Sequence, residues 1–309
     1  MWDSLLIIAV CFLIFERASN YLVEGLGAIS HKFKISEAVM GASIAAIGSS
    51  APEFGSSAFS VIEGHPTIGL GTIIGSAIFN VTVIVGAGAF FGKYAIERRV
   101  FYRDGLFYLF TVLIAIAFVW DGSLARFEAT LWALVFFGYL AWLIFDARRG
   151  KPVPRTSLAN LSPRRAFIYV IIGLLAIIIA ARYLVIQVAD ISSSLGISEA
   201  TFSLVIVAIG TSIPDLFTSV QGARMGMGSL AVSNALGSNI FDILACLGIP
   251  FSFSRKPTPI EGPLSISFVA LLASVVLVLA VLRNDWSVSK IEAVLLFGVY
   301  GVYLGLILI

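Results

Sequence analysis

Apolar stretches of about 20 residues, each long enough to cross a bilayer, alternate along this chain with short bands that hold most of its charge. Their limits predict ten membrane helices, over residues 4–28, 36–62, 67–91, 104–121, 126–146, 165–189, 198–223, 229–252, 262–282 and 287–309. The last two are separated only by a short polar break at 283–290. Inside these runs the pattern is interrupted, and the interruption occurs twice. Ala46-Ile47-Gly48-Ser49-Ser50-Ala51-Pro52-Glu53 returns as Ala208-Ile209-Gly210-Thr211-Ser212-Ile213-Pro214-Asp215. Gly75-Ser76-Ala77-Ile78-Phe79-Asn80 returns as Gly237-Ser238-Asn239-Ile240-Phe241-Asp242. Residues 21–80 align with 183–242 at a constant offset of 162 without a gap, with 21 identities in 60 positions. A polar knot duplicated within apolar segments suggests one central site assembled from two halves.

Composition agrees with the hydrophobic pattern. The chain is 59% hydrophobic and 12% charged, with a mean hydropathy of +1.00, which excludes an ordinary soluble domain. The apolar run after Met1 is not read as a secretory signal: no basic stretch precedes it, no small-residue cleavage site is clear, and its continuation belongs to the repeat. Cys11 and Cys246 both fall in apolar helices and read as buried thiols acting as small hydrophobes, rather than as a disulfide or metal ligands.

The distribution of basic residues gives a topology. Loops after odd-numbered spans carry Lys32, Lys34, Lys93, Arg98, Arg99, Arg103, Arg148, Arg149, Lys151, Arg155, Arg164, Arg165, Arg224, Arg283 and Lys290. Loops after even-numbered spans carry only Arg126, Arg255 and Lys256. By the positive-inside rule both termini lie outside. Five spans per half then make the repeats inverted. The expected fold is therefore all-α and integral to the membrane, about ten transmembrane helices as two inverted five-helix repeats. Residues 1–146 form the first repeat, 147–164 a basic cytoplasmic linker with Pro152 and Pro154, and 165–309 the second. The linker is too short for a folded regulatory domain. The sequon Asn160-Leu161-Ser162 lies on the cytoplasmic side and reads as a chance match.

A carboxylate at membrane depth costs about 3 kcal/mol on insertion scales, so it marks function more often than packing. Glu53 and Asp215 each follow a proline. Pro52 cannot donate to the carbonyl of Gly48, nor Pro214 to that of Gly210, so each helix is expected to kink or break and to leave carbonyls free near Ala46 and Ala208. Ser76 and Asn80 share a helix face, as do Ser238 and Asp242. Gly71 and Gly75, with Gly69 before them, form a small-residue seam for close helix approach, and Ala231, Ser233 and Gly237 take the same places in the second copy. Two crossing helix pairs would enclose one oxygen-lined centre carrying Glu53, Asp215 and Asp242. Hard oxygen ligands of this kind suit calcium and sodium rather than zinc or copper.

Other polar residues have structural readings. Ser43, Ser57, Ser60 and Ser219 read as packing hydroxyls, and Glu16 with Arg17 as an ion pair. Arg182 reads as snorkelling or pairing locally. Ser36 and Ser198, in the repeated Ile-Ser-Glu-Ala that also holds Glu37 and Glu199, read as helix N-caps. His31 and His65 read as solvated.

These motifs resemble the α-repeats of the cation/calcium exchanger superfamily, in its sodium/calcium exchanger branch. Gly-Ser/Thr-Ser-x-Pro-Glu/Asp occurs twice, each time followed by Gly-Ser-x-x-x-Asn/Asp. Gly210 to Asp215, Ala231 to Asn234, Phe241 to Leu244 and Gly71 to Ser76 look most like the potassium-dependent subgroup. The resemblance implies an antiporter that exchanges sodium for calcium by alternating access. Glu53 and Asp215 would be the shared ligands. Ser50, Ser212, Ser76 and Ser238 would supply hydroxyls, chiefly to sodium. Ala46, Ser49, Ala208 and Thr211 would supply backbone carbonyls, and Asn80 and Asp242 would complete the site. Asp215 stands where some members have glutamate, which shortens the reach. Asp242 is an acid that potassium-independent animal exchangers tend to replace with asparagine, so potassium stays open as a third cargo. No cofactor is implied: the partners are calcium, sodium and the lipid of a cell membrane, with no nucleic acid. The large cytoplasmic calcium-sensing insert of some members is lacking, and the first and sixth helices would slide as the gating pair.

Three rival functions are weighed against this one. A proton/calcium antiporter of the same superfamily would use similar carboxylates but usually carries a different repeat motif. A passive cation channel would favour a ring of identical subunits over an internal inverted duplication. An intramembrane enzyme would need a catalytic setting that Asp215 and Asp242 lack. The expected protein is a transporter and not an enzyme.

Overall fold

The computed structural model describes residues 2–32, 46–90, 94–149, 161–224 and 228–308. Ser36, Glu37, Ser43, Lys34, Lys93 and the linker from 150 to 160 lie outside the described residues, and so does the environment of the His31 side chain.

Helix α1 (Trp2–Lys32) opens the first half. The next span is broken, α2 (Ala46–Ser49) and α3 (Ala51–Glu63) meeting at Ser50, whose φ of −89° and ψ of 9° leave the helical region. Helix α4 (Pro66–Ala89) contains a π-helical turn at Asn80–Ile84. A short strand β1 (Tyr94–Ala95), helix α5 (Phe101–Phe118), strand β2 (Ser123–Leu124) and helix α6 (Arg126–Arg149) complete the half.

The second half repeats this order. Helix α7 (Pro163–Leu195) is followed by a second broken span, α8 (Glu199–Thr211) and α9 (Ile213–Arg224), interrupted at Ser212 with φ −81° and ψ 1°. Helix α10 runs from Gly228–Phe241 through a π-helical turn at Asp242–Leu247 to Gly248–Phe251. Strand β3 (Thr258–Pro259), helix α11 (Pro263–Asp285), strand β4 (Ser287–Val288) and helix α12 (Lys290–Leu308) end it. Subtracting 162 carries 228–251 onto 66–89 and the start of the second π turn, 242, onto 80. The duplication thus extends to a backbone irregularity that no single residue type announces.

Among the described residues, seven helices are long and apolar enough to cross a membrane: α1, α4, α5, α7, α10, α11 and α12. Helix α6, with 24 residues, spans about 36 Å at 1.5 Å per residue. The remaining two of the ten expected spans are the broken pairs, each a helix interrupted at a serine one residue before the helix resumes. Proline explains the break: Phe54 N–H still reaches the Ser50 carbonyl at 3.0 Å and Leu216 N–H the Ser212 carbonyl at 3.0 Å, but Pro52 and Pro214 have no N–H to continue the ladder across it. The result is an all-α integral membrane protein of two inverted five-helix repeats.

The strands fix how the halves face each other. β1 pairs antiparallel with β4, Tyr94 opposite Val288, and β2 pairs antiparallel with β3, Ser123 opposite Pro259. Each ribbon joins one half to the other. Exchanging the two halves converts one pairing into the other, as a two-fold axis between inverted repeats requires. Arg98 caps the first ribbon, its guanidinium 5.1 Å from the Trp286 ring centroid.

Burial separates an inner from an outer layer. Of the most apolar window of α4, 94% is buried, and of α10, 78%, against 35% for α1 and 33% for α7. α4 and α10 therefore form the centre. α1 and α7 pack on each other through Phe15, Ala18 and Leu22 against Ile177, Ala181 and Leu184. Gly173 sits so close to α1 that a Cβ would come within 2.8 Å of the Ala18 carbonyl. Their outer faces expose Leu6, Leu13, Ile172, Leu175 and Ile179, the apolar surface that lipid chains cover.

Candidate cation site

The two helix breaks and the π turns that begin at Asn80 and Asp242 meet in the middle of the molecule. Gly71 and Gly75 make the meeting possible: a Cβ at Gly71 would lie 2.9 Å from the Ala200 carbonyl, and one at Gly75 2.7 Å from Ala208 Cβ. The backbone of α4 therefore rests directly on α8, as the small-residue seam predicts. On the other side α2 packs against α10.

Glu53, Ser50, Ser76, Asn80, Ser212, Ser238 and Asp242 are fully buried, Asp215 is 1% exposed, and Ser49 and Thr211 are buried with them. The three carboxylates stand within electrostatic reach of one another. Ser49 and Ser238 lie beside Asp215, Ser50 beside Asp242 and Thr211 beside Glu53. Asn80 Nδ2 donates to Asp215 Oδ2 at 3.3 Å, and Asn234 Nδ2 donates to Asp215 Oδ1 at 3.4 Å. Ser76 Oγ donates to the Ala208 carbonyl at 3.1 Å and lies 3.4 Å from Thr211 Oγ1. Ser238 Oγ donates to the Ala235 carbonyl of its own helix at 3.4 Å.

Among the described residues, six buried oxygens in this region have no hydrogen-bond partner: both of Glu53, Oδ1 of Asn80, Oδ2 of Asp242, and the hydroxyls of Ser50 and Ser212. Buried polar atoms are normally paired, because leaving one unpaired costs about 1–3 kcal/mol. Oxygens of three chemical kinds gathered without partners are what a desolvated hard cation needs.

Several details differ from the expectations. The Ala208 carbonyl is not free: it accepts from Ser212 N–H at 3.2 Å and from the hydroxyls of Ser76 and Thr211. Its helical N–H partner is kept across the break, and two hydroxyls are added to it, so the oxygen is not bare. Among the described residues no three His, Cys, Asp or Glu side chains form a metal-holding group by themselves. Asp215 is drawn aside by two amides, and Asp242 Oδ1 by the thiol of Cys246 at 3.6 Å. A cation here must draw on hydroxyls, amides and carbonyls as well as carboxylates.

Some contributors escape a reading based on duplication. Asn239 accepts from Asn80 Nδ2 at 2.9 Å and itself donates to the Ala77 carbonyl and to Tyr108 Oη, both at 3.0 Å. Asn234 reaches Asp215, and Cys246 is no inert hydrophobe, lying 4.0 Å from the Ser50 carbonyl as well as near Asp242. Its own carbonyl accepts from Ser57 Oγ. Their counterparts at the 162 offset are Ala77, Thr72 and Ile84, so the repeat gives no signal. A polar residue in one copy opposite an apolar one in the other was the available clue for Asn239 and Cys246.

Outside the centre, Ser198 is an N-cap, accepting from Thr201 N–H at 3.0 Å. Glu16 pairs with Arg17 at 3.2 Å and Glu63 with Arg182 at 2.9 Å. His65 is not simply solvated. Its Nδ1 lies 2.7 Å from Glu199 Oε1, while Thr67 donates to Glu199 Oε2 at 3.0 Å, which ties the start of α8 to the start of α4. Ser60 and Ser219 hydroxyls bond backbone carbonyls, as packing residues do.

Comparison with known proteins places this arrangement. Over 340 aligned residues the chain is 27% identical to the sodium/calcium exchanger MaX1 of Methanosarcina acetivorans, covering 97% of this chain and 96% of that one. It is 36% identical over 152 residues to the human sodium/potassium/calcium exchanger 2, covering 46% of this chain and 23% of that longer protein. A solved structure of the sodium-calcium exchanger NCX_Mj superposes with a TM-score of 0.70 at 25% identity, covering 98% of each chain. The sodium/calcium exchanger protein family itself is matched over residues 3–145 and 165–309, leaving only the join between the halves and the first two residues outside. The chain belongs to the sodium/calcium exchanger protein family, a family of membrane transporters rather than enzymes.

Proposed function

We propose that this protein exchanges sodium for calcium across a cell membrane by alternating access, using the one central site. The observation that carries this is the group of six buried oxygens at the junction of the two helix breaks that have no partner among the described residues. Calcium, or several sodium ions in its place, would be held by Glu53, Asp215, Asp242, Asn80, the hydroxyls of Ser50, Ser76, Ser212 and Ser238, and the backbone oxygens of Ala46, Ser49, Ala208 and Thr211. Potassium is an additional cargo to be tested, with Asp242 as its ligand. Up to three carboxylates without a cation repel one another in a medium that solvates them poorly, so the uncompensated site resists closure and leak is suppressed. The packing of α1 and α7 on each other and their lipid-facing surfaces support their sliding as a pair. Both termini would lie outside, and residues 147–164 would join repeats 1–146 and 165–309 in the cytoplasm.

Calcium-45 uptake into proteoliposomes loaded with sodium, against external sodium, potassium or choline, tests the reading. Uptake driven by the outward sodium gradient is expected, with Glu53→Ala and Asp215→Ala each reducing it at least about hundredfold, as loss of a buried charged ligand costs several kcal/mol. Potassium on both faces then tests the third cargo. Uptake driven by a pH gradient and indifferent to sodium would move the protein to proton-coupled exchange.

A further inference from the structure

Two helices, α4 and α5, meet Asn239 of α10. Its Nδ2 uses both hydrogens, one on the Ala77 carbonyl of α4 and one on Tyr108 Oη of α5, each at 3.0 Å. An amide held at both donors has one orientation, and its Oδ1 must face the other way. There it accepts from Asn80 Nδ2 at 2.9 Å. Asn80 Nδ2 spends its second hydrogen on Asp215 Oδ2 at 3.3 Å. With both donors committed, the Asn80 carbonyl oxygen is buried and has no partner among the described residues. Asn80, Asn239 and Tyr108 are all fully buried, so water cannot supply the alternative that would let either amide turn over.

The geometry points to Asn239, anchored by Tyr108, as a positioning residue that fixes the Asn80 amide with its oxygen rather than its nitrogen toward the cation. Without it only the longer 3.3 Å bond to Asp215 Oδ2 holds the Asn80 amide, which can then turn and present N–H donors to a positive charge, which repels it. Among the described residues the hydrogen bonds of Asn239 meet a proposed cation ligand only at Asn80, so its effect passes through Asn80. The device belongs to one half only, because Ala77 replaces Asn239 and Asp242 replaces Asn80 at the 162 offset. A carboxylate such as Asp242 is an acceptor at either oxygen and needs no such orientation, which accounts for the asymmetry. The inference rests on the proposed cation site, and its test is arranged to separate the two.

The measurement is equilibrium calcium-45 binding to the purified full-length protein in detergent without sodium, which requires no transport. Wild type, Asn239→Ala and Tyr108→Phe are compared, each also in an Asn80→Ala background. Asn239→Ala is expected to weaken calcium binding about tenfold, the scale of losing a residue that orients a metal ligand. Tyr108→Phe, which keeps the ring and loses only the hydroxyl, is expected to weaken it about threefold. In the Asn80→Ala background neither substitution should change the affinity further, since residues acting through one group are not additive. A loss of the same size in both backgrounds, or no loss in the wild-type background, would overturn the positioning role. Tyr108→Phe decides the matter should Asn239→Ala fail to fold. A wild type that binds no calcium would sink the site itself, and with it this inference.

Discussion

A carboxylate with both oxygens buried and without a partner among the described residues, as at Glu53, is destabilising in the folded protein unless a cation or proton reaches it. The same holds for Asn80 Oδ1, Asp242 Oδ2 and the hydroxyls of Ser50 and Ser212, so cation binding should be visible as folding stability. At a free calcium concentration a hundredfold above Kd, binding to the folded state alone adds about 2.7 kcal/mol. Thermal unfolding in detergent should therefore shift upward with calcium and fall back when a chelator removes it. Glu53→Gln, which keeps the shape and loses the charge, should unfold at a temperature indifferent to calcium. A calcium-dependent shift of unchanged size in that variant would show that the cation sits elsewhere. Much of this residue-level picture is legible in the chain. The coincidence of Pro52-Glu53 with Pro214-Asp215 and of Ser76 and Asn80 with Ser238 and Asp242 marks eight of the buried residues at once. Legibility ends where the copies differ. Asn239, Asn234 and Cys246 act from one half only, and single polar residues in membrane helices are too often packing devices to stand out alone.

Helices carry the sequence signal with different clarity. The breaks at Ser50 and Ser212 follow from prolines that lack a donor, and the approach of α4 to α8 follows from Gly71 and Gly75. The π turns at Asn80–Ile84 and Asp242–Leu247 do not, because a single extra residue in a turn leaves no trace in apolar periodicity. Each begins at a site residue, which turns Asn80 and Asp242 at the point where the backbone widens. Close approach gives a prediction at this scale. Gly75→Leu would drive a side chain into the Leu204 carbonyl and Ala208. Overpacking of this kind costs about 1–3 kcal/mol, and here it also pushes α4 away from α8, so sodium-driven calcium uptake should fall together with the melting temperature. Gly138→Ala on α6, where a Cβ meets no described atom within 4 Å, should leave both unchanged. Equal tolerance at the two positions would mean that the contact of α4 with α8 does not hold the site together.

For the molecule as a whole, the charge bias and the strand pairings are independent observations about the same two faces. Basic residues assign the loops that contain β1 and β4 to one side and those that contain β2 and β3 to the other. The strands pair in just those combinations, β1 with β4 and β2 with β3. Neither observation uses the other, and their agreement is what inverted halves about a two-fold axis require. The pairings say which loops share a face but not which face is outside; only the positive-inside rule speaks to that. Lys256, beside β3, and Asp285, beside β4, are exposed, while the two native thiols, Cys11 and Cys246, are buried. A membrane-impermeant maleimide applied to intact cells should therefore label Lys256→Cys, leave the parent protein unlabelled, and reach Asp285→Cys only after permeabilisation. The opposite pattern would invert the orientation and keep the fold. Labelling of both positions from one side would contradict the opposed ribbons themselves, and with them the two-fold relation on which a single site open alternately to each face depends.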